Sequence, residues 1–365
     1  MKKILLPCVI IICVCSIASK AQNNFTVAGK VVDARTNERL KYVNIFLSQT
    51  SMGTTTNSEG GYKISNIPSG RYNLVASMVG YEAKIIEVEL KADSKVTIDF
   101  NLEPTIYKLN QIDVKDEIPL KWREQLEFFE KLILGDNSFA DECIIKNRYK
   151  INFSENEDQF TAEINEPLII KNNALGYMIE SVLKNFIYNK KTRITSYQIY
   201  PSFSEIIPLT QDSLIQFREN RNYSYAGSLA HVLSCLTHQG TEFSDEGFTI
   251  NYMDFNSVFG SIDSAKQIVS YDPQTQRYLI NPRMGAVRKY KNWHKFSETG
   301  VGLKIHYLSS NKSSDSKIFP RNGEYVEFDP GGYFINPDQC IVYGDMAKEG
   351  VATMLPRFWK PIGGK

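Results

Sequence analysis

The stretch that most constrains this chain is Gly53-Thr54-Thr55-Thr56-Asn57-Ser58-Glu59-Gly60-Gly61-Tyr62-Lys63-Ile64, followed by Ile67-Pro68-Ser69-Gly70-Arg71-Tyr72. It holds two glycine-centred turns, each feeding a short run with Tyr at its start. Gly and Asn accept positive φ and Pro presets its own, so this punctuation imposes tight reversals between short extended segments. The neighbouring runs have a period of two. Val27, Gly29 and Val31 alternate with polar residues, as do Val43, Ile45 and Leu47, then Tyr72, Leu74, Ala76 and Met78. Ile86, Val88 and Leu90, then Val96, Ile98, Phe100 and Leu102, do the same. Such alternation predicts a β-sandwich over residues 25–104 with one face of each strand buried.

A leader precedes it. Met1-Lys2-Lys3 is basic, Ile4 to Ile17 is almost wholly apolar, and Ser19 and Ala21 are small residues placed before Gln22. This is the pattern of a secretory signal peptide over residues 1–21, cleaved after Ala21. Its apolar run is shorter than the ~20 residues of a spanning helix. Cys15 follows Ile12-Cys13-Val14 and so lacks the small residue that precedes a lipidated Cys. Without the leader's Lys2, Lys3 and Lys20, 39 basic groups face 41 acidic ones, and no basic block argues for nucleic acid. No later run is apolar enough for a transmembrane segment, and the strand series of an outer-membrane barrel is missing. Cys143, Cys235 and Cys340 remain after cleavage, an odd number that leaves at least one free thiol.

Residues 105–118 read as a linker, and residues 119–365 as a larger β-rich α+β domain, so the fold class is mainly β. Trp122, Leu126, Phe129 and Ile133 form a helical face that Gly135 ends. A second helical stretch runs from Ser213 to His238, interrupted near Asn222 to Gly227. Strands are expected at Cys143 to Phe153, Phe160 to Ile164, Leu168 to Lys171, Tyr177 to Tyr188 and Arg193 to Tyr200. Others are expected at Phe248 to Tyr252, Gln276 to Leu279, Leu303 to Leu308, Tyr325 to Phe328 and Gln339 to Tyr343. Ser309 to Lys317 reads as a Ser/Lys-rich loop. Ala347, Val351, Met354 and Leu355 suit a last short helix, with Asp345 as its N-cap.

The ordered phrases Gly29-Lys30-Val31-Val32-Asp33, Tyr42-Val43-Asn44-Ile45, Gly60-Gly61-Tyr62 and Val79-Gly80-Tyr81, with the two turns above, resemble the carboxypeptidase-regulatory-like domain. The resemblance implies a seven-stranded Greek-key, transthyretin-like sandwich, common in Bacteroidota envelope proteins and without catalytic residues of its own. Gly61 is an extra residue relative to that family, for which a small bulge is expected. Four later phrases resemble a Bacteroidota family in which this sandwich precedes a domain of unknown function. They are Glu166-Pro167-Leu168-Ile169-Ile170, Asn173-Ala174-Leu175-Gly176-Tyr177, Tyr225-Ala226-Gly227-Ser228-Leu229-Ala230-His231 and Glu349-Gly350-Val351-Ala352-Thr353-Met354-Leu355-Pro356. There a basic residue often follows the glutamate, where this chain has Gly350.

Zinc carboxypeptidases hold the metal with a His and a Glu three residues on. Here the residues three after His231, His238, His294 and His306 are Ser234, Thr241, Ser297 and Ser309, and His-Glu-x-x-His is absent, which argues against that activity. On one helix, His231, Cys235 and His238 share a face opposite Leu229, Val232, Leu233 and Leu236. Imidazole and thiolate at that spacing suit a metal; the other reading is the polar or partner-facing side of an amphipathic helix. Ser309-x-x-Lys312 and Ser314-x-x-Lys317 match a nucleophile spacing within a loop rich in both residues. Asp212-Ser213-Leu214 and Asp263-Ser264-Ala265 resemble the O-glycosylation triplet of Bacteroidota periplasmic proteins, and equally suit a loop or a helix cap. No phosphate loop, dinucleotide fingerprint or nucleophile elbow is present, so no catalytic, cofactor or metal residues are assigned.

The resulting expectation is an exported, non-catalytic binding or scaffold protein of the periplasm or outer membrane, with an envelope protein as partner. A periplasmic hydrolase of peptide or glycan, its active site within residues 119–365, is the alternative. A TonB-dependent receptor is argued against, because neither plug nor barrel follows the sandwich.

Overall fold

Gly29 marks where two backbones meet: a Cβ there would lie 1.8 Å from the Ile98 carbonyl oxygen. That approach lets a late strand run along the first one. The computed structural model describes residues 25–90, 96–105, 119–237, 242–253, 258–263, 265–273, 277–282, 301–321, 325–329, 332–334 and 340–361. The leader, most of the expected linker, His238 and His294 therefore lie outside the described residues.

The sandwich comprises β1 (Phe25–Asp33), β2 (Asn44–Leu47), β3 (Gly53–Thr55), β4 (Gly61–Ile67), β5 (Gly70–Ser77), β6 (Lys84–Leu90), β7 (Val96–Thr97) and β8 (Phe100–Leu102). One sheet runs β4-β1-β7, with β8 also on β1; the other runs β3-β2-β5-β6. Because β7 and β8 both lie parallel to β1, they act as two halves of one strand, which gives the expected seven. Val27, Val31, Ile45, Leu47, Leu74 and Phe100 fill the core.

The tyrosines that open the runs are pins. Tyr62 donates its hydroxyl to Ile98 O at 2.7 Å, Tyr72 to Pro68 O at 2.8 Å and Tyr81 to Asp33 Oδ2 at 2.9 Å. Gly61 needs no bulge. It pairs with Lys30 as the first residue of β4, and its N–H donates to Asn57 Oδ1. The register shift falls instead at the far end of β4, beside Asn66, whose φ is 61°.

The larger, β-rich region has two separate cores. In the first, α1 (Leu120–Leu134) buries Trp122, Leu126, Phe129 and Ile133, the face expected from their spacing, and ends at Gly135. It covers a sheet of β9 (Cys143–Ile145), β10 (Asn152–Glu155), β11 (Gln159–Glu163), β12 (Leu168–Asn172), β13 (Tyr177–Asn189) and β14 (Ile194–Glu205). The run from Cys143 to Phe153 is not one strand: a 3₁₀ turn at Arg148–Lys150 splits it into β9 and β10. Phe129 packs edge-on to Phe186 at 4.8 Å.

The second core follows α2 (Gln211–Tyr225) and α3 (Leu229–Thr237). It contains β15 (Phe248–Met253), β16 (Val258–Ile262), β17 (Val269–Asp272), β18 (Arg277–Ile280), β19 (Gly302–Leu308), β20 (Ser313–Pro320), β21 (Val326–Phe328) and β22 (Cys340–Gly344). Sheets run β16-β15-β19-β20-β22 and β17-β18-β21. The expected loop from Ser309 to Lys317 is therefore mostly strand. Ser314 and Ser316 face inward as small residues in an interior strand, and only the turn before them is loop.

The expected last helix is also absent. Two 3₁₀ turns, Asp345–Lys348 and Val351–Thr353, flank an extended Glu349-Gly350. A Cβ on Gly350 would lie 2.4 Å from Leu134 O and Gly135 N, so glycine lets the tail cross the end of α1. A basic side chain has no room there.

The three cores are joined. Phe46 and Val75 of the sandwich bury against Val182 of β13, each such side chain stabilising by roughly 1.5–3 kcal/mol. Gln49 N donates to Pro201 O at 2.6 Å and Phe203 N to Thr50 O at 3.0 Å. The tail then returns to the sandwich at Arg357. Its backbone N–H donates to Gln49 O, its guanidinium donates to Arg71 O, lies 4.6 Å above the Tyr72 ring and pairs with Asp329. The Arg357 and Asp329 side chains are 7% and 8% exposed, so the pair is desolvated.

Candidate functional site

The His/Cys spacing on α3 does bring chemistry together, with a different third member. His231, Cys235 and Glu246 each offer one ligand atom within 4.8 Å of the others. Glu246 comes from the 3₁₀ turn Phe243–Glu246, eleven residues beyond Cys235 in sequence. Yet α3 is not amphipathic in place. Val232, Leu233 and Leu236 are buried, and so are His231 and Cys235, which removes the expected partner-facing side.

The hydrogen bonding of His231 decides what the cluster is. Gly227 N–H donates to Nδ1 at 3.1 Å, so the neutral ring carries its proton on Nε2, which lies 3.6 Å from Glu246 Oε2. A cation at the centre would need the Nε2 lone pair, forcing a proton onto Nδ1 against the Gly227 donor. The geometry is that of an imidazole–carboxylate pair. Burial holds His231 below the ordinary imidazole range, although Glu246 opposes that shift. Burial pushes the Cys235 thiol up to about 12, with the Glu246 charge adding to it, so it is no nucleophile near neutrality. Rings of Tyr225, Phe248 and Tyr307 enclose His231 at 4.7, 4.8 and 5.8 Å.

Beside this cluster, of which only Glu246 is exposed, lies an open groove of about 610 Å³. It runs along the C-terminal half of α2, between Phe139 from the first core and the β19–β20 turn from the second. Tyr223 is 42% exposed within it and meets Phe139 edge-on at 6.1 Å. Gln216, Asn220, Asn222 and Asn311 contribute amides, Glu219 a carboxylate and Ser309 a hydroxyl. Gln216 donates to Asn220, which donates on to Ala174 O, both at 2.8 Å. That chain fixes the amide row on the Asn173-Ala174-Leu175-Gly176 turn. Arg221 locks the same contact, donating to Leu175 O at 2.7 Å and lying 4.0 Å above the Tyr177 ring.

The groove wall rests on two half-buried ionisable side chains, Lys312 and Glu349, that sequence reading missed. Lys312 donates to the Tyr223 and Ala226 carbonyls at the end of α2. Glu349 accepts from Leu229 N at the start of α3, at 3.2 Å. Burial drives both toward neutrality: Lys312 falls below its usual range, and Glu349 rises to about 8. The one sequence signal was the glutamate before Gly350.

The remaining flagged residues do not assemble a site. Lys312 gives its ammonium to carbonyls, while Ser309 Oγ accepts only the Lys312 backbone N–H, so they form no Ser–Lys dyad. Ser314 is buried in β20 and Lys317 is exposed. Ser213 lies in the first turn of α2, where its N–H donates to the capping hydroxyl of Thr210 at 3.1 Å. Ser264 lies outside the described residues. His306 meets Asp315 at 3.2 Å on a neighbouring strand. Cys143, Cys235 and Cys340 are all free thiols. Among the described residues, no helix is long and apolar enough to cross a membrane.

This fold is a small β-sandwich docked on a larger β-rich body. Residues 27–114 match the CarboxypepD_reg-like domain family, and the sandwich is a domain of that family. No curated protein sequence matches the chain. Among solved structures, the group B streptococcus pilus 2b backbone protein is 17% identical over 22% of this chain and 41% of its own, with a TM-score of 0.19. The minor pilin GBS52 of Streptococcus agalactiae is 18% identical over 26% and 48%, also at 0.19. The chain thus spans under half the length of these two pilins. A Bacteroides fragilis NCTC 9343 protein described as membrane-associated and of unknown function is 10% identical over 88% and 95%, at 0.19. TM-scores of this size carry no argument.

Proposed function

We propose that this is an exported, non-catalytic binding protein of the cell envelope. The sandwich is a docked structural member, and the groove beside α2 receives the ligand. One contrast carries the reading: the His231 imidazole and Cys235 thiol are buried, the former among aromatic rings, whereas the open concavity presents amides and an exposed ring. Within the groove, no nucleophile is paired with a base. The leader supports export, and the family of the sandwich supports a scaffold role for that part. The test is fractionation of cells expressing the full chain, with mass measurement of the product, and turnover assays on peptide and oligosaccharide panels. An envelope-associated chain lacking residues 1–21 and without turnover is expected. Hydrolysis abolished by Tyr223→Ala would overturn the non-catalytic reading, and a cytoplasmic, uncleaved chain would overturn export.

A further inference from the structure

Resting on the reading of the groove as a binding site, we infer that its ligand is a neutral carbohydrate, a short oligosaccharide. Its volume lies inside the ~300–1,000 Å³ range of small-ligand sites. The lining matches the two kinds of surface a sugar ring presents. Ring C–H groups carry partial positive charge and settle on the negative face of an aromatic ring, here the exposed Tyr223, which Phe139 meets edge-on and over one face of which the Lys312 ammonium lies at 4.9 Å. Equatorial hydroxyls are both donors and acceptors and need partners of both kinds at fixed spacing. The side-chain amides of Gln216, Asn220, Asn222 and Asn311 supply both, and Glu219 adds a strong acceptor. Because Gln216 and Asn220 are tied to Ala174 O, part of that array is set before any ligand arrives.

Other ligand classes fit less well. A phosphate, carboxylate or sulfated ligand needs a free cation. Glu219 is the charged residue of the lining, and the adjacent Lys312 already donates to two backbone carbonyls. An extended peptide is held by main-chain pairing to an open sheet edge. Here β19 and β20 are interior strands of their sheet, and the opposite wall is helix α2, so among the described residues no edge faces the groove. An apolar ligand would leave the amides unpaired.

The experiment is calorimetric titration of the full mature chain with neutral tetrasaccharides: cellotetraose, maltotetraose, mannotetraose and chitotetraose. Neutral tetrapeptides and inorganic phosphate are titrated in parallel. At least one glycan series is expected to bind with a Kd of roughly 0.1–1 mM, about 4–5 kcal/mol of affinity. Tyr223→Ala should weaken it tenfold or more. Asn311→Ala, on an exposed turn, should weaken it several-fold while leaving the unfolding temperature unchanged. If peptides or phosphate bind and no glycan does, the carbohydrate assignment is overturned and the binding reading survives. If no probe binds, the assignment also falls. If a bound glycan is hydrolysed, the non-catalytic reading falls while the ligand class stands.

Discussion

Two buried polar constellations, built on opposite logic, organise the molecule outside its apolar cores. At the junction, Arg357 and Asp329 meet as full charges, nearly excluded from water, and the guanidinium also reaches Arg71 O and the Tyr72 ring. On α3, His231 avoids charge: burial lowers its proton affinity, and it fits between a backbone donor and Glu246 as a neutral ring. The charged pair joins separate cores. His231 and Cys235 are instead buried at the edge of a single core, with Glu246 at the surface. A desolvated ion pair is rigid and costly to break, so it suits a joint, whereas a neutral imidazole settles into whatever hydrogen bonds the core offers.

The largest expected effect comes from breaking the joint. Arg357→Ala leaves the Asp329 carboxylate buried without its guanidinium, and should cost ~3–5 kcal/mol in urea denaturation. Replacing both residues, as Arg357→Met with Asp329→Leu, should recover most of that loss, since paired apolar side chains remove the buried charge. Failure to recover would mean that the backbone and ring contacts of Arg357, rather than its ion pair, hold the joint.

A smaller effect separates the tail from the ion pair. Burial raises Glu349 to about 8 in the fold, above its unfolded value, so its contribution is fully present at acid pH and is lost as pH rises through 8. Stability should then fall by up to ~1.4 kcal/mol per pH unit between the ordinary carboxylate range and pH 8, and level off above it. Glu349→Gln should flatten this limb. A wild-type profile flat from about pH 5 to 8 would show that Glu349 keeps an ordinary carboxylate affinity in the fold.

The smallest effect sharpens the α3 cluster. Equimolar zinc is expected to shift the unfolding temperature by less than about 1 °C, because the Gly227 donor opposes ligation through His231 Nε2. A rise of several degrees, lost in His231→Gln, would reassign the cluster as a metal centre.

How much of this was legible depends on how far apart the partners lie. The sandwich reads directly from the sequence because its turns, alternation and Tyr pins are all encoded within a few residues. Helix α1 reads as plainly, since Trp122, Leu126, Phe129 and Ile133 are one face. Strand β20 is hidden because its inward positions include Ser314 and Ser316, which close packing between two strands favours but a hydrophobicity pattern discounts. The last helix fails because Glu349 leaves the helical path to reach Leu229, and Gly350 crosses α1. His231 and Cys235 are legible by spacing on one helix, but Glu246 reaches them from a separate turn. The groove and Arg357 have no local signature at all.

The tail has a consequence for how the chain acquires its structure. Between Cys340 and Arg357 it pairs β22 with β20, caps α3, places Val351 and Ala352 in the first core of the larger body and reaches Arg71, 286 positions away. Contacts of such sequence separation are slow to form, since loop closure must precede the interactions that reward it. Each core can collapse on its own clock, but their mutual arrangement is settled only when this segment threads back. Until then the apolar patch of Phe46 and Val75 has no stable cover and is open to wrong partners. Joining the cores, rather than folding any single one, is then the step expected to be slowest.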